Sequence, residues 1–253
     1  MSLGKKYIMK RITILSILLL SLALSYTSCV KDYICISGEG EIMSTTLNID
    51  SFIGINSMGA EKVTITQGGV QKVEVLSQEN IVAHLQTEVI GGIWKIKLDD
   101  GLCFTDYDLS INITTPNIEE VSITGSADIH INDFYNQDQL SINITGSGDI
   151  ELHDFKDCTD LSIDILGSGN IDCLGQFDDL ENINLDIGGS GDFYGFNAET
   201  NNCDIDITGS GMCKVSVKDH LDVKISGSGD IYYKGNPFQN TNITGTGRLI
   251  DSN

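Results

Sequence analysis

The sequence predicts an all-β chain coiled as a right-handed parallel β-helix, a solenoid with about 18–22 residues per rung. Three observations predict it. A glycine-centred motif recurs at near-constant spacing through the C-terminal half. Apolar and polar residues alternate on both sides of each copy. No segment beyond residue 30 joins a 3.6-residue apolar period to helix caps.

The chain begins with an address. Lys10-Arg11 precede a 13-residue apolar run, Ile12 to Leu24. A basic start and a short apolar core are the parts of a secretory signal, and the run is too short to span a bilayer comfortably. Ser25-Tyr26-Thr27-Ser28-Cys29 follow. They resemble the lipobox of bacterial lipoproteins, which implies cleavage before Cys29 and lipid attachment to its thiol. Tyr26 stands where that motif usually has leucine. The plainer alternative is an ordinary cleaved signal with an incidental cysteine. Val30-Lys31-Asp32 resembles the surface-export signal of Bacteroidetes lipoproteins, with Tyr33 in place of the usual second acid. The expected location is therefore the outer membrane at the cell surface, with a periplasm-facing position as the alternative. Acyl chains would hold the protein there at about 0.8 kcal/mol per buried methylene.

Residues 30–44 read as a linker, and residues 45–120 as irregular β rungs. Lys62-Val-Thr-Ile-Thr66, Lys72-Val-Glu-Val-Leu76, Trp94-Lys-Ile-Lys-Leu98 and Leu109-Ser-Ile-Asn-Ile-Thr114 all alternate with the period of a half-buried strand. This part is expected to close one end of the coil, which would otherwise expose strand edges.

Residues 121–253 carry the repeat. Its copies include Ile123-TGSADIHI, Ile144-TGSGDIEL, Ile165-LGSGNIDC and Ile225-SGSGDIYY. Their first glycines are Gly125, Gly146, Gly167, Gly189, Gly209, Gly227 and Gly245, spaced by 21, 21, 22, 20, 18 and 18 residues. In one copy, Leu140-Ser-Ile-Asn-Ile-Thr145 alternates, Gly146-Ser147-Gly148 turns a corner, and Asp149-Ile150-Glu151-Leu152 resumes. The glycines are expected to permit positive φ at that corner, and His153 to Asp160 to form a polar loop. One such unit cannot bury its apolar side. Stacked units can, about 4.8 Å apart, and parallel connections are right-handed in nearly all cases. The rival is a β-propeller, but its blades need about 40 residues and four strands each.

Charge narrows the partners. The formal net charge is −21, and removing the four basic residues of segment 1–29 leaves 11 basic against 36 acidic residues. So acidic a body repels nucleic acid and anionic headgroups. Excess charge commonly serves only solvation; cation binding is the sharper reading. Six cysteines follow Cys29, none with C-x-x-C spacing. Disulfides and buried free thiols both remain open. Cys173 falls where a neighbouring copy has Leu152, which favours burial there.

With the repeats laid out, the chain resembles the auto-transporter adhesin head domain called GIN, common in Bacteroidetes. The resemblance rests on the Ile-Thr-Gly-Ser-Gly-Asp-Ile copies. It rests also on Phe52-Ile-Gly-Ile55, Val63-Thr-Ile-Thr-Gln-Gly68, Ile93-Trp-Lys-Ile-Lys-Leu98 and Ile111-Asn-Ile-Thr-Thr-Pro116, covering residues 45–250. It implies a parallel β-helix at the cell surface and supplies no catalytic residues.

The strongest candidate constellation is the acidic place of the repeat, held by Asp128, Asp149, Asp192 and Asp230 with Asn170 between. Stacked rungs align these on one ridge. A Ca²⁺ ion between their oxygens would relieve repulsion; alternatively each Asp caps its own glycine corner. Met212 and Arg248 interrupt the row. His84, His130, His153 and His220 are scattered, with His130 and His153 expected in solvent. Trp94 is expected in the core, as is one of the pair Tyr232 and Tyr233. No Ser-His-Asp or metal-ligand spacing appears. The expected function is thus a non-catalytic adhesin or binding module anchored to the outer membrane. Its partner would be an extracellular glycan or protein ligand rather than nucleic acid, and a homo-oligomer is compatible. The alternatives are a glycan-processing enzyme, which needs convergent carboxylates and an aromatic platform that break the repeat, and an envelope structural protein that self-associates.

Overall fold

The computed structural model describes residues 35–253. The signal segment, Cys29 and the export-like residues 30–32 lie outside them. The described chain is 54% strand and 2% helix, a β-solenoid of about 6 turns. Among the described residues no helix is long and apolar enough to cross a membrane.

The N-terminal part holds β1 (Ile36–Ser37), β2 (Met43–Leu47), β3 (Gly54–Ser57), β4 (Lys62–Gln67) and β5 (Lys72–Ser77). After them come a four-residue helix α1 (Glu79–Val82), β6 (Val89–Ile90), β7 (Ile93–Ile96), β8 (Phe104–Thr105) and β9 (Leu109–Thr115). Three rungs of three strands follow. They are β10 (Glu120–Ile123), β11 (Asp128–Ile131) and β12 (Phe134–Tyr135); β13 (Gln139–Ile144), β14 (Ile150–Leu152) and β15 (Phe155–Lys156); β16 (Asp160–Ile165), β17 (Ile171–Cys173) and β18 (Phe177–Asp178). The rest is β19 (Asn182–Ile187), β20 (Phe193–Ile207), β21 (Cys213–Ile225), β22 (Ile231–Lys234), β23 (Phe238–Ile243) and β24 (Leu249–Asp251). The stretch expected as a linker thus carries β1 and begins β2.

Parallel pairing stacks like residue on like residue. Ile144 pairs with Ile165, Ile165 with Ile187, Ile187 with Ile207, Ile207 with Ile225, and Ile225 with Ile243. Four of these, Ile144 to Ile207, are fully buried, and so is Ile225. Burying such a side chain is worth roughly 1.5–3 kcal/mol, so a register slip of one residue would turn a whole ladder outward.

The order of rungs is not the order of sequence. β3 and β4 lie inside the stack, with β10 and β11 on one side and β7 and β9 on the other. The end beyond β7 and β9 is finished by antiparallel strands: β5 on β9, β2 on β5 and β6 on β7. Trp94 is fully buried there, and its indole N–H donates to the Gln86 carbonyl at 3.0 Å. At the other end the apolar ladders stop on polar residues. Gln239 stands on Leu221 and Thr241 on Val223.

Two sequence expectations change. The corner glycines of the repeat do not have positive φ. They are required by close approach: a Cβ on Gly167 would strike the Gly146 carbonyl oxygen of the preceding rung, and one on Gly146 would strike that of Gly125. The stretch His153–Asp160 is also more than a loop. Phe155 lies in β15 and stacks between Phe134 and Phe177, with ring centroids 5.7 and 5.1 Å apart. Each of the three rungs then turns on a left-handed residue, Asn136, Asp157 or Asp179, with φ of 55°, 62° and 69°. Asn and Asp adopt that region more readily than other non-glycine residues. In the later, shorter rungs, β20 and β21 run on without that turn and absorb the change through register shifts near Gly195 and Thr200.

The cysteines divide. Cys35 and Cys103 are disulfide-bonded, and the Ile36 N–H donates to the Cys103 carbonyl at 2.7 Å. Cys158, Cys173, Cys203 and Cys213 are free and buried. Cys173 stands on Leu152, as its place in the repeat implies. Burial pushes the Cys158 thiol up to about 11 and the other three higher still. These thiols are inert hydrophobes at neutral pH. An aromatic disulfide reagent is expected to leave them untouched in the native protein and to modify all four after unfolding. Rapid native modification would contradict the burial.

Candidate functional site

The ridge of motif acids is real as geometry, but from Asp149 onward its side-chain oxygens are engaged between rungs. The Asn170 N–H donates to Asp149 Oδ1 at 2.7 Å, and the Asn170 side-chain amide reaches the same oxygen at 3.0 Å. The Asp192 N–H donates to Asn170 Oδ1 at 3.0 Å and the Met212 N–H to Asp192 Oδ1 at 2.6 Å. The Arg248 N–H donates to Asp230 Oδ1 at 2.9 Å. Asp149, Asn170, Asp192 and Asp230 therefore each cap the same position of the following rung rather than their own corner. This explains the breaks in the row. Met212 and Arg248 need only offer a backbone N–H to the acid below. Arg248 adds a guanidinium contact to Asp230 Oδ2 at 2.5 Å, which holds that carboxyl below its usual range. Asp128 begins the column, its N–H donating to the Glu61 carbonyl at 3.1 Å. Among the described residues no group of three or more His, Cys, Asp or Glu is placed to hold a metal ion.

A second arrangement covers the outer face of β13, β16, β19 and the second halves of β20 and β21. One column runs Ser141, Ser162, Asn184, Asp204, Asp222, Asn240; the next runs Asn143, Asp164, Asp186, Asp206, Lys224, Asn242. Partial burial and then the neighbouring carboxylate of Asp186 raise the Asp164 pKa. Burial, with Asp222 the first of several acids, does the same for Asp204. Lys224 answers the column by pairing with Asp206. Hydroxyl, amide and carboxylate groups thus stand at rung spacing along the outside of the sheet.

A third arrangement breaks the repeat. The ladder of tight corners ends at Ser57-Met58-Gly59-Ala60-Glu61, where Ser57 takes the place of Ile123. Beyond it β7 leads not into a corner but into the longer loop 97–108. A cavity of about 310 Å³ opens between that loop and the corner, lined by Gly59, Glu61, Lys97, Asp99, Phe104 and Tyr107 among others. Ser57 is fully buried and Glu61 is 4% exposed. The Ser57 hydroxyl donates to Glu61 Oε1, and the N–H groups of Glu61 and Gly59 also face the carboxylate. His84 Nδ1 lies 3.0 Å from Asp99 Oδ2, and Lys97 Nζ 2.5 Å from Asp100 Oδ2. Phe104 meets His84 and Tyr107 edge-on, with centroids 5.4 and 6.3 Å away.

Burial raises the Glu61 pKa, and the hydrogen bonds from Ser57 and the backbone offset this only in part. Burial and then the Glu61 charge raise that of Tyr107. Above the unfolded pKa of a glutamate, ionisation favours the unfolded chain, so this group's contribution is present at low pH and lost as pH rises through its elevated folded value. Glu61→Gln is expected to flatten that loss. Urea midpoints of the two proteins, compared from pH 4 upward, check it; parallel curves would mean that Glu61 titrates normally.

Sequence reasoning missed this mouth because none of its residues repeats. The available signal was the substitution of Ser57 and Glu61 into positions that later copies fill with Ile and with Ala or Gly. Of the other singled-out residues, His130 is half-exposed and contacts Glu151 at 2.7 Å, His153 is partly exposed, and Tyr233 faces the core while Tyr232 is partly exposed.

A family model described as "Putative auto-transporter adhesin, head GIN domain" matches residues 51–237. No curated protein matches the chain. A crystal structure of a "putative adhesin" from Bacteroides fragilis superposes with a TM-score of 0.77 at 22% identity, covering 86% of this chain and 100% of that one. A "putative lipid binding protein" from Parabacteroides distasonis gives 0.66 at 24% identity, covering 86% and 99%. A "putative adhesin" from Parabacteroides merdae gives 0.66 at 19% identity over the same shares. At these identities the likeness is one of fold.

Proposed function

The chain belongs to the head GIN domain family of auto-transporter adhesins, and from that premise we propose that it is a non-catalytic, lipid-anchored binding module of the outer membrane, displayed at the cell surface. One observation carries the reading: the face outside β13, β16, β19, β20 and β21 presents polar side chains in register over a buried apolar ladder. Stacked repeats build extended rigid surfaces of this kind. Paired donors and acceptors at a fixed interval suit an extended ligand with its own repeat, such as a glycan chain. Acylation of Cys29 supplies the membrane tether, and the acidity of the body disfavours nucleic acid.

The mouth at Glu61 has the carboxylates and aromatic rings that glycan hydrolysis would use. Glu61 is tied to Ser57 and its own corner, Asp99 contacts His84, and Asp100 pairs with Lys97. Groups so committed suit holding a sugar better than exchanging protons with it. Two measurements test the proposal. Intact cells are labelled with a membrane-impermeant reagent while Cys29 is characterised by mass; a labelled, diacylated protein is expected. An acylated but shielded protein would defeat surface adhesion and favour an envelope-structural role. A broad glycan panel is expected to give retention without turnover. Turnover would make the protein an enzyme.

A further inference from the structure

The last rung differs from all others. Among the described residues, β23 pairs only with β21 and β24 only with β22. Every residue of β23 is exposed, with Phe238 at 71% and Ile243 at 41%. Edges of this kind are usually guarded by charge, proline, a bulge or short length. Pro237 stands just before the strand, but the six residues Phe-Gln-Asn-Thr-Asn-Ile themselves carry no charge and no proline, and their register on β21 is unbroken.

Charge points to the occupant. Residues 234–253 hold Lys234, Arg248 and Asp251, a net of +1, in a chain whose total is −21. Two copies of so acidic a protein repel one another along their flanks. The end rung itself adds none of that net negative charge. The opposite end has poorer edges: β6 is two residues long, and β2 lies between Glu39 and Glu41 on one side and Asp50 on the other.

We propose that β23 is the interface of a homodimer, pairing with β23 of a second copy about a twofold axis. A twofold reverses strand direction, so the pair is antiparallel, and an interface made from the same patch on both copies closes at two. The polar interior residues fit this arrangement. Gln239 and Thr241 lie where earlier rungs have Leu221 and Val223. Across an antiparallel strand pair they meet amide and hydroxyl groups of the copy, and such pairs hydrogen-bond well.

The test uses the mature chain with Cys29→Ser, so that acyl chains do not drive association. Sedimentation across a concentration series is expected to show a monomer passing to twice its mass and no further. Asn240→Lys with Asn242→Lys puts four like charges across the paired strands; both side chains are exposed, so the melting temperature of the monomer serves as the folding control. This variant is expected to weaken dimerisation at least tenfold at low salt, with part of the loss recovered at high salt. The same two charges placed on Ser141 and Asn143, in the middle of the stack, should leave the dimer intact. A wild-type chain that stays monomeric throughout overturns the proposal. So does a dimer indifferent to the β23 lysines, or one that grows into longer polymers.

Discussion

Gly167→Ala is expected to destabilise the protein by about 3 kcal/mol, the upper end of what an inserted methyl group usually costs. The methyl has nowhere to go. A Cβ there would overlap the Gly146 carbonyl oxygen, and that oxygen accepts the Ser168 N–H at 3.0 Å. Relief requires either opening the corner, which breaks this bond, or pushing apart two rungs that are locked by their ladders on both sides of it. Gly69→Ala is the control. Nothing lies within 4 Å of a Cβ at Gly69, so this change is expected to be neutral or slightly stabilising through its effect on the unfolded chain. Urea unfolding of both variants checks the pair. Equal small effects would show that the corner can relax and that the glycine ladder is not what fixes rung spacing.

Phe155→Ala is the second large effect, at about 3–5 kcal/mol. Phe155 is fully buried and stacked on both faces, between Phe134 and Phe177 with interplanar angles of 12° and 13°. Removing the middle ring leaves both neighbours facing a void inside a rigid column that cannot collapse, because β12, β15 and β18 hold their registers by backbone pairing. Phe155→Leu is expected to lose less than half as much. Denaturant midpoints measure both. An alanine variant within about 1 kcal/mol of wild type would mean that the third side of the coil contributes little to its stability.

The parts of this architecture that were legible beforehand are those that repeat. The Ile123, Ile144 and Ile165 positions announced their ladder because identical residues at a fixed interval have one economical explanation, stacking. The glycines announced the corner but not its reason. From sequence alone, positive φ and close approach both ask for glycine, and only the neighbouring carbonyl distinguishes them. The Phe134, Phe155 and Phe177 column was missed although it repeats too. A two-residue strand inside a polar stretch gives no alternation to detect, and the signal was instead the phrase Phe-x-Asn/Asp recurring at 134–136, 155–157 and 177–179. The acids of the ridge were placed in one column in advance. Their bonding to the next rung was not visible, since a hydrogen bond between rungs depends on rung offset, which sequence spacing does not contain. The Glu61 mouth was hidden for the opposite reason: it exists where the pattern fails.

Ladders that bond position to position have a bearing on how such a chain changes over generations. Within the paired segments a one-residue insertion misaligns glycine with carbonyl and isoleucine with isoleucine at once, while gain or loss of a whole rung leaves every contact class intact. Length should therefore vary among relatives in quanta, each adding about 4.8 Å. The short link between the second strand and the phenylalanine column, where β17 to β18 already runs one residue longer than β14 to β15, lies outside the paired segments, and there an added residue disturbs no ladder. A stack of this kind is a ruler with fixed graduations.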